Sequence, residues 1–169
     1  MGDHLDCQDY SVIPAAIDHD FLMAYNTVEE GTYGCETITI ANKDETFCTL
    51  TLPTDPNQSL LKNAHCVSCG HWINYFICGY KAILSCNAEL EGLVKKPKGL
   101  QVFIDSRVPI AVGLSSSAAI TVCAALVTLH ANGLQRNVSK NLLAELTIFA
   151  ERMAGTACGG MDQTASIMG

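Results

Sequence analysis

Hydrophobic and polar positions along the chain follow two different periods, and the shorter period dominates the early part. Threonine alternates with isoleucine, phenylalanine or leucine over residues 37–40 and 47–52, and alternation returns over 100–106. A period of two that uses β-branched residues predicts strands with one buried face. Residues 11–25 contain two shorter extended runs around Pro14, a residue that disfavours a central position in a sheet.

Segments later in the chain have helical spacing. Over residues 71–85 the apolar side chains fall on a single stripe, which predicts an amphipathic helix. A second helix is predicted to open at Ser116 or Ser117 and to run to about Ala131, with Gly133 just after its end. Because its apolar residues lie on all sides, we expect this helix to be buried.

A last helix is predicted from Ser139, a suitable N-cap, to about Met153. Its expected apolar face consists of Leu142, Leu143, Leu146, Phe149, Ala150 and Met153. Strands combined with helices of this kind predict an α+β fold, in which a mixed sheet packs against helices.

The composition is sufficient for a packed core and argues against several classes of protein. The 169 residues are 49% hydrophobic and 16% charged, which excludes global disorder. Ten lysines and arginines stand against 17 aspartates and glutamates, and the net charge of -7 disfavours non-specific binding to nucleic acid or anionic membranes. The longest apolar run, 118–129, is shorter than the roughly 20 residues that a bilayer span needs.

The nine cysteines are odd in number and scattered along the chain. With no signal peptide recognisable at the start, they predict free thiols in a reducing environment, and therefore a cytoplasmic protein. Cys66 and Cys69 form a single CxxC, and neither a second pair nor a histidine cluster completes a zinc site.

The stretch from Pro109 to Ala119 carries the strongest chemical signal, because it places a loop of small residues between a predicted strand and a buried helix. Backbone N–H groups and the positive end of the helix dipole favour phosphate at such a place. The hydroxyls of Ser115, Ser116 and Ser117 add hydrogen-bond donors and a potential Mg²⁺ ligand. The loop has neither the Walker A pattern nor the dinucleotide-binding fingerprint. From these residues alone, a serine-capped structural helix remains the alternative.

Two further stretches accompany this loop. Gly2-Asp3-His4-Leu5-Asp6 stands near the start of the chain, and Cys158-Gly159-Gly160-Met161-Asp162-Gln163 stands near its end. Together with the PxxxGLSSSAA pattern of residues 109–119, they resemble the signatures of the GHMP small-molecule kinases, and of the galactokinase branch among them. The resemblance extends over essentially the whole chain. It implies the fold of the GHMP kinase N-terminal domain, which is ribosomal protein S5 domain 2-like.

The resemblance also implies that ATP phosphorylates the anomeric (C1) hydroxyl of a sugar with the help of Mg²⁺. Asp162 would accept the proton of that hydroxyl or orient it, and Ser117 and Glu151 would ligate the metal. The residues expected to hold the nucleotide are Pro109, Gly113, Leu114, Ser115, Ser116, Ser117 and Ala118. Helical spacing alone turns Glu151 away from the apolar stripe of its helix, so a solvated glutamate is the alternative.

By the same resemblance, the sugar is bound by Asp3, His4, Asp6, Gly160 and Asp162. Hydrogen bonds from hydroxyls to charged acceptors contribute about 1.5–3 kcal/mol each. Asp3 stands where the family usually has glutamate, and its side chain is one methylene shorter. Residues 71–76 and the small Gly160 resemble the N-acetylgalactosamine kinases most, so the expected acceptor is galactose or N-acetylgalactosamine.

The family pattern implies that residues 1–169 are only part of a GHMP kinase N-terminal domain. An arginine normally precedes the sugar signature and a C-terminal domain normally closes the cleft, and this sequence includes neither. We therefore expect little or no activity from the chain by itself, and an exposed apolar surface where the absent domain would pack. A non-catalytic, galactokinase-like regulator that binds sugar and ATP is the alternative function. A mevalonate kinase is disfavoured, because it has no need of the acidic cluster at residues 3–6.

Overall fold

The computed structural model of the protein describes residues 13–15, 17–55, 57, 71–85, 90, 92–110, 112–156 and 158–169. In chain order, its elements are β1 (Phe21–Val28), β2 (Thr37–Asn42), β3 (Leu50–Pro53), α1 (His71–Leu84), β4 (Gly99–Ser106), α2 (Ser116–Ala131), α3 (Lys140–Met153) and α4 (Met161–Met168). The patterns over 71–85, 100–106 and 116–131 therefore predicted the right elements.

The described strands form a single sheet in the order β1-β4-β2-β3. Strand β4 is antiparallel to β1 and parallel to β2, while β3 is antiparallel to β2. Parallel strands require a crossover connection, and the chain that leads from β2 to β4 includes α1. A mixed sheet packed with helices confirms the predicted α+β class.

The two faces of the sheet differ in burial. On β4, the buried side chains Leu100, Val102 and Ile104 belong to the same core as α1 and α2. Phe103 lies on the opposite face and is 48% exposed, next to its exposed cross-strand neighbour Ala24 on β1. The alternating pattern of this strand thus sorts its residues as expected.

Helices α1 and α2 pack closely at the centre of the core. A Cβ added at Gly79 of α1 would collide with the backbone oxygen of Thr121 on α2, so only glycine allows this approach. The apolar stripe of α1 is buried, and the hydroxyl of Tyr80 donates a hydrogen bond to the carbonyl of Thr54 (2.6 Å). Burial raises the pKa of Tyr80 above its usual value. Within the described part of the chain, no helix has the length and hydropathy to cross a bilayer.

Two strands differ from the predicted boundaries. Two extended runs were predicted within 11–25, and in the described part of that segment the structure has one strand, β1, which pairs with β4 along its whole length. The strand predicted over 47–52 begins later, as β3. Side chains explain the delay, because Asn42 accepts a hydrogen bond from the N–H of Asp44 (2.9 Å) and Asp44 accepts one from the N–H of Thr46 (2.9 Å). Such local bonds compete with strand pairing.

The buried face of α3 is rotated relative to the prediction. Ser139 is the N-cap as expected, and its hydroxyl accepts a hydrogen bond from the N–H of Leu142 (3.2 Å). However, Phe149 is 55% exposed and Met153 is 42% exposed. The side chains buried on α3 are Leu143, Ala144, Leu146, Thr147, Ala150 and Glu151. Helix α4, which the sequence pattern did not predict, packs against α3. This contact explains why the buried face of α3 includes polar residues.

Among the described cysteines, Cys35, Cys123 and Cys158 are free thiols. Cys48 forms a disulfide instead, and its partner is not among the described residues. The prediction of free thiols is therefore wrong at this position. Burial raises the pKa of Cys123 to about 11.

Candidate active site

The loop that joins β4 to α2 has an unusual backbone at its end. Gly113 has φ 76°, and Ser115, the N-cap of α2, has φ 58°. Ser115 is the one non-glycine residue with positive φ in the described part of the chain, and this conformation costs an L-residue about 1–2 kcal/mol. Its side chain makes no capping hydrogen bond. The structure therefore does not have the serine-capped helix that was the alternative for this loop.

The first turn of α2 offers hydroxyls and backbone donors without any acidic side chain. Ser116 and Ser117 are half-buried there, whereas Ala118 is buried in the core and can contribute only its backbone. A helix N-terminus with no carboxylate of its own retains its attraction for an external anion. Residues 113–118, predicted to hold the nucleotide, thus lie together around one helix terminus.

A cavity of about 300 Å³ adjoins this terminus. Its lining residues are Phe21, Asn42, Asp44, Phe47, Trp72, Ile104, Ser106, Arg107, Val108, Pro109, Ile110, Ser116 and Ile120. Pro109 and Ser116, both predicted to contact the nucleotide, therefore lie on the wall of one cavity. Its volume is at the lower end of the range for small-molecule sites, which are mostly apolar with a few polar groups.

Trp72 gives this cavity an aromatic wall. Its ring meets Phe47 edge to face, with ring centroids 5.9 Å apart and an interplanar angle of 80°. The indole Nε1 of Trp72 is buried and has no hydrogen-bond partner among the described residues. A buried N–H without a partner carries a desolvation cost of about 1–3 kcal/mol, which an acceptor on a ligand in the cavity would remove.

Arg107 supplies positive charge at the same cavity. Its Nε donates a hydrogen bond to Oδ1 of Asp20 at 2.8 Å. This bond lowers the pKa of the Asp20 carboxyl and raises the pKa of Arg107. The pair is solvent-exposed and therefore contributes little to the stability of the fold.

Glu151 is not a solvated residue, contrary to the alternative drawn from helical spacing. It is 1% exposed, and Gln163 of α4, also 1% exposed, donates a hydrogen bond from Nε2 to Glu151 Oε2. The same Nε2 lies 3.8 Å from Sγ of Cys158. The spacing argument failed because it did not include α4, whose side chains cover this part of α3.

The segment between α3 and α4 is held by several short-range contacts. The guanidinium Nε of Arg152 donates to the carbonyl of Cys158 (3.0 Å). Burial raises the pKa of the Cys158 thiol, and the nearby charge of Glu151 acts in the same direction. Gly160, the N-cap of α4, has φ 104°, and a Cβ there would lie 2.5 Å from Cδ1 of Ile148. Ile148 fills the space beside Gly160, so packing is a second reason, besides the positive φ, for glycine at this position.

Asp162 lies in the first turn of α4 and is half-buried. Helix α4 packs against both α2 and α3, so the helices that carry Ser117, Glu151 and Asp162 are mutual neighbours. An aspartate in a first turn is favourable for any helix, and the position of Asp162 alone therefore indicates no chemistry.

The residues near the start of the chain that were predicted to bind the sugar, Asp3, His4 and Asp6, lie outside the described residues.

Three oxygen-bearing side chains on the mutually packed helices α2, α3 and α4 fit Mg²⁺ in kind. Mg²⁺ prefers oxygen ligands and is usually held by one or two carboxylates together with waters and substrate phosphates. Glu151 provides a carboxylate and Ser117 a hydroxyl, and the buried Oε1 of Gln163 has no hydrogen-bond partner among the described residues. No group of three or more histidine, cysteine, aspartate or glutamate side chains that could hold a metal occurs in that part of the chain.

A second cavity, of about 310 Å³, lies at the opposite end of β1 and contains none of the predicted site residues. Its walls include Cys35 and Lys96. The ammonium of Lys96 lies 3.1 Å from the carboxylate of Glu36 and 3.7 Å from that of Glu30. Because the predicted nucleotide-binding residues Pro109 and Ser116 line the cavity beside α2 and none lines this one, the cavity beside α2 is the better candidate site.

Comparison with known proteins agrees with the site motifs. The family model for the GHMP kinases N terminal domain matches residues 74–169. The galactokinase of Saccharomyces cerevisiae is 38% identical over all of this chain, which covers 32% of that protein. The galactokinase of Candida maltosa is 32% identical over all of this chain, which covers 73% of it. The chain spans about a third of the length of the Saccharomyces cerevisiae and Schizosaccharomyces pombe galactokinases.

Solved structures give the same fold. A crystal structure of mevalonate kinase covers 86% of this chain with a TM-score of 0.61 at 20% identity, and 42% of that chain is covered in return. The mevalonate kinase of Methanococcus jannaschii covers 89% with a TM-score of 0.60 at 19% identity, again with 42% of its own chain covered. At such low identity these likenesses show the fold alone, which is that of the GHMP kinase N-terminal domain. The family model and the galactokinase relatives together show that the chain belongs to the galactokinase branch of the GHMP kinase family.

Proposed function

We propose that the chain is part of a sugar kinase that transfers the γ-phosphoryl group of ATP to the C1 hydroxyl of galactose or N-acetylgalactosamine. The observation that supports this most is that Ser116, at the start of α2, and Trp72 line one cavity. A nucleotide needs an apolar pocket for its base next to an anion-binding site for its phosphates. Trp72 would contribute to the first and Ser116 to the second.

The phosphates belong at the N-terminus of α2. The loop of residues 109–118 has no lysine, so backbone N–H groups, serine hydroxyls and the helix dipole would bind the anion. The positive φ of Ser115 turns the chain immediately before this helix. Strained backbone of this kind concentrates at ligand-binding sites.

The base belongs in the cavity beside Trp72. An aromatic side chain and apolar neighbours such as Ile104 and Ile120 suit a flat heterocycle. The buried Nε1 of Trp72 and the side chain of Asn42 are the polar groups that would select a base by hydrogen bonding.

Ser117 and Glu151 would hold Mg²⁺, which when bound supplies neutralisation of charge on the phosphates. Asp162 would take the proton of the sugar's C1 hydroxyl. The hydroxyl oxygen bonds to the γ-phosphorus, the bond from that phosphorus to the β,γ-bridging oxygen breaks, and the products are ADP and a sugar 1-phosphate. Positioning supplies most of the rate enhancement in such transfers.

Sugar recognition by Asp3, His4, Asp6 and Gly160 is part of the same proposal. N-acetylgalactosamine is the finer expectation, because residues 71–76 and Gly160 resemble kinases for that sugar. Binding of radiolabelled galactose, N-acetylgalactosamine and mevalonate to the protein in equilibrium dialysis separates these acceptors. Preferential retention of mevalonate would contradict the proposal.

We further propose that residues 1–169 are one part of the catalytic unit, that the C-terminal GHMP domain completes the cleft, and that the protein works in the cytoplasm. The support is that the galactokinases of Saccharomyces cerevisiae and Schizosaccharomyces pombe are about three times as long as this chain. On this proposal the chain binds nucleotide but transfers phosphate far more slowly than the roughly 1–100 s⁻¹ of kinases.

Titration calorimetry with MgADP tests the nucleotide part of the proposal. We expect saturable binding that Ser117→Ala weakens by at least tenfold, while Ser139→Ala, a serine at the N-terminus of α3, leaves it unchanged. No heat of binding to the unsubstituted chain, or equal affinities for both variants, would contradict the proposed site.

A further inference from the structure

We propose that Gln163 is a positioning residue for Glu151: its side-chain amide holds the buried carboxylate in the orientation that a metal–nucleotide complex requires. The inference rests on the proposed function, because it assigns Glu151 to the metal. It concerns a residue of α4 that the family motif contains but to which the sequence assigned no role.

The geometry is specific. The side chains of Glu151 and Gln163 are each 1% exposed, and they meet between α3 and α4. A carboxylate only accepts hydrogen bonds, so the contact fixes the amide of Gln163 with its Nε2 towards Glu151 Oε2. The N-cap Gly160 starts α4 just before Gln163, and its contact with Ile148 of α3 fixes the distance between these two helices at that point.

The type of donor matters as much as its position. An amide orients a carboxylate without cancelling its charge, whereas a lysine or arginine at position 163 would neutralise it. A carboxylate oriented in this way retains its attraction for a cation. Residues that hydrogen-bond metal-ligating carboxylates fix their orientation and tune the metal site.

The side-chain oxygen of Gln163 also indicates that a ligand binds here. Oε1 of Gln163 is buried and has no hydrogen-bond partner among the described residues. A buried carbonyl without a donor costs about 1–3 kcal/mol, and native structures rarely leave such an atom unexplained. Because Mg²⁺ keeps several of its waters, a bound ion brings donors of the kind that this acceptor lacks.

A purely structural role makes a different prediction, and the two can be separated. If Gln163 only joins α3 to α4, its removal lowers stability and leaves the metal dependence of nucleotide binding as it was. If it positions Glu151, its removal weakens the metal–nucleotide complex selectively. The readout is therefore the ratio of ADP affinity with metal to ADP affinity in EDTA.

The experiment uses the whole chain, ADP and Mn²⁺ as a spectroscopic substitute for Mg²⁺. Calorimetry gives the affinity of ADP with Mn²⁺ and with EDTA, and electron paramagnetic resonance reports protein-bound Mn²⁺. The variants are Gln163→Met, which keeps the length of the side chain without its donor, and Glu151→Gln. Thr147→Val is the matched control, because Thr147 is a buried polar residue of α3 whose hydroxyl donates hydrogen bonds to the carbonyls of Leu143 and Ala144 in its own helix.

We expect Gln163→Met to lower the affinity for Mn²⁺–ADP by about 10–100-fold and to leave ADP binding in EDTA unchanged. Thr147→Val should leave both affinities unchanged. Circular dichroism and urea unfolding show whether each variant folds. If Gln163→Met does not fold, Gln163→Asn replaces it in the experiment, because asparagine keeps the amide but is one methylene shorter. The same loss of affinity for Mn²⁺–ADP is expected.

Two failures are distinguishable. If the unsubstituted chain binds ADP equally with Mn²⁺ and with EDTA, the metal site of the proposed function is wrong, and the role of Gln163 is wrong with it. If the unsubstituted chain shows metal dependence that Glu151→Gln removes but the folded Gln163 variant retains, the role of Gln163 alone is overturned.

Discussion

Trp72 of α1 and Ser116 of α2 line the same cavity, although the whole of β4 lies between them in the chain. The close approach of α1 to α2 at Gly79 allows the two helices to meet there. A probe of the cavity is therefore also a probe of the start of α2, where phosphates would bind. Predictions for the surrounding structure follow from the same contacts.

The two serines at helix N-cap positions should respond to mutation in opposite ways. Ser115→Gly removes a left-handed L-residue whose hydroxyl makes no capping bond, so we expect an increase of up to about 1 kcal/mol in the free energy of unfolding. Ser139→Ala removes a real cap and should cost about 1 kcal/mol. Urea denaturation measures both, and a loss of stability in Ser115→Gly would contradict the capping geometry.

Gly160 should tolerate a methyl group less well than other glycines of positive φ. Gly160→Ala meets both an unfavourable φ and the side chain of Ile148, so we expect a loss of about 2–4 kcal/mol. Gly133→Ala is the matched control, since its φ is 73° and nothing lies near the added Cβ. Equal losses at the two positions would show that Ile148 does not fill the space. Ile148→Val in the Gly160→Ala background should recover part of the stability.

The Cys123 thiol should be protected while the protein is folded. Burial raises its pKa to about 11 from an ordinary value of 9.0, so the folded chain binds the proton more tightly than the unfolded chain. The associated stability is complete below pH 9.0 and is lost as the pH rises towards about 11. Alkylation followed by peptide mass spectrometry at pH 8 should label this thiol far more slowly in the folded chain than in urea. Equal rates would contradict its burial.

The exposed side of α3 should make the chain associate. Phe149 and Met153 stand one helical turn apart and are 55% and 42% exposed, and adjacent exposed apolar side chains favour association. Light scattering should show self-association that rises with concentration and falls in a Phe149→Ser, Met153→Ser double variant. A monomer at all concentrations in the unsubstituted chain would contradict this role of the surface.

The sequence predicts the elements of this protein correctly where the signal lies within the element's own residues. The α1 stripe, the β4 alternation and the Ser139 cap are local signals, and each was predicted correctly. The burial of Glu151 depends on α4, which the periodicity of α3 does not reveal. The later start of β3 depends on local side-chain hydrogen bonds at Asn42 and Asp44, which compete with the alternating pattern. Helix α4 gave only a weak signal, a glycine N-cap followed by Asp162 in the first turn, which is why its partner Gln163 was not assigned a role.

The most direct measurement of nucleotide binding uses the fact that Trp72 is the chain's one tryptophan. Its fluorescence therefore reports on the cavity beside α2 without interference from other indoles. We predict that MgADP changes this emission saturably, that Ser117→Ala shifts the titration to at least tenfold higher concentration, and that Ser139→Ala does not. Emission that stays constant up to millimolar MgADP in the folded chain would contradict a nucleotide site in this cavity.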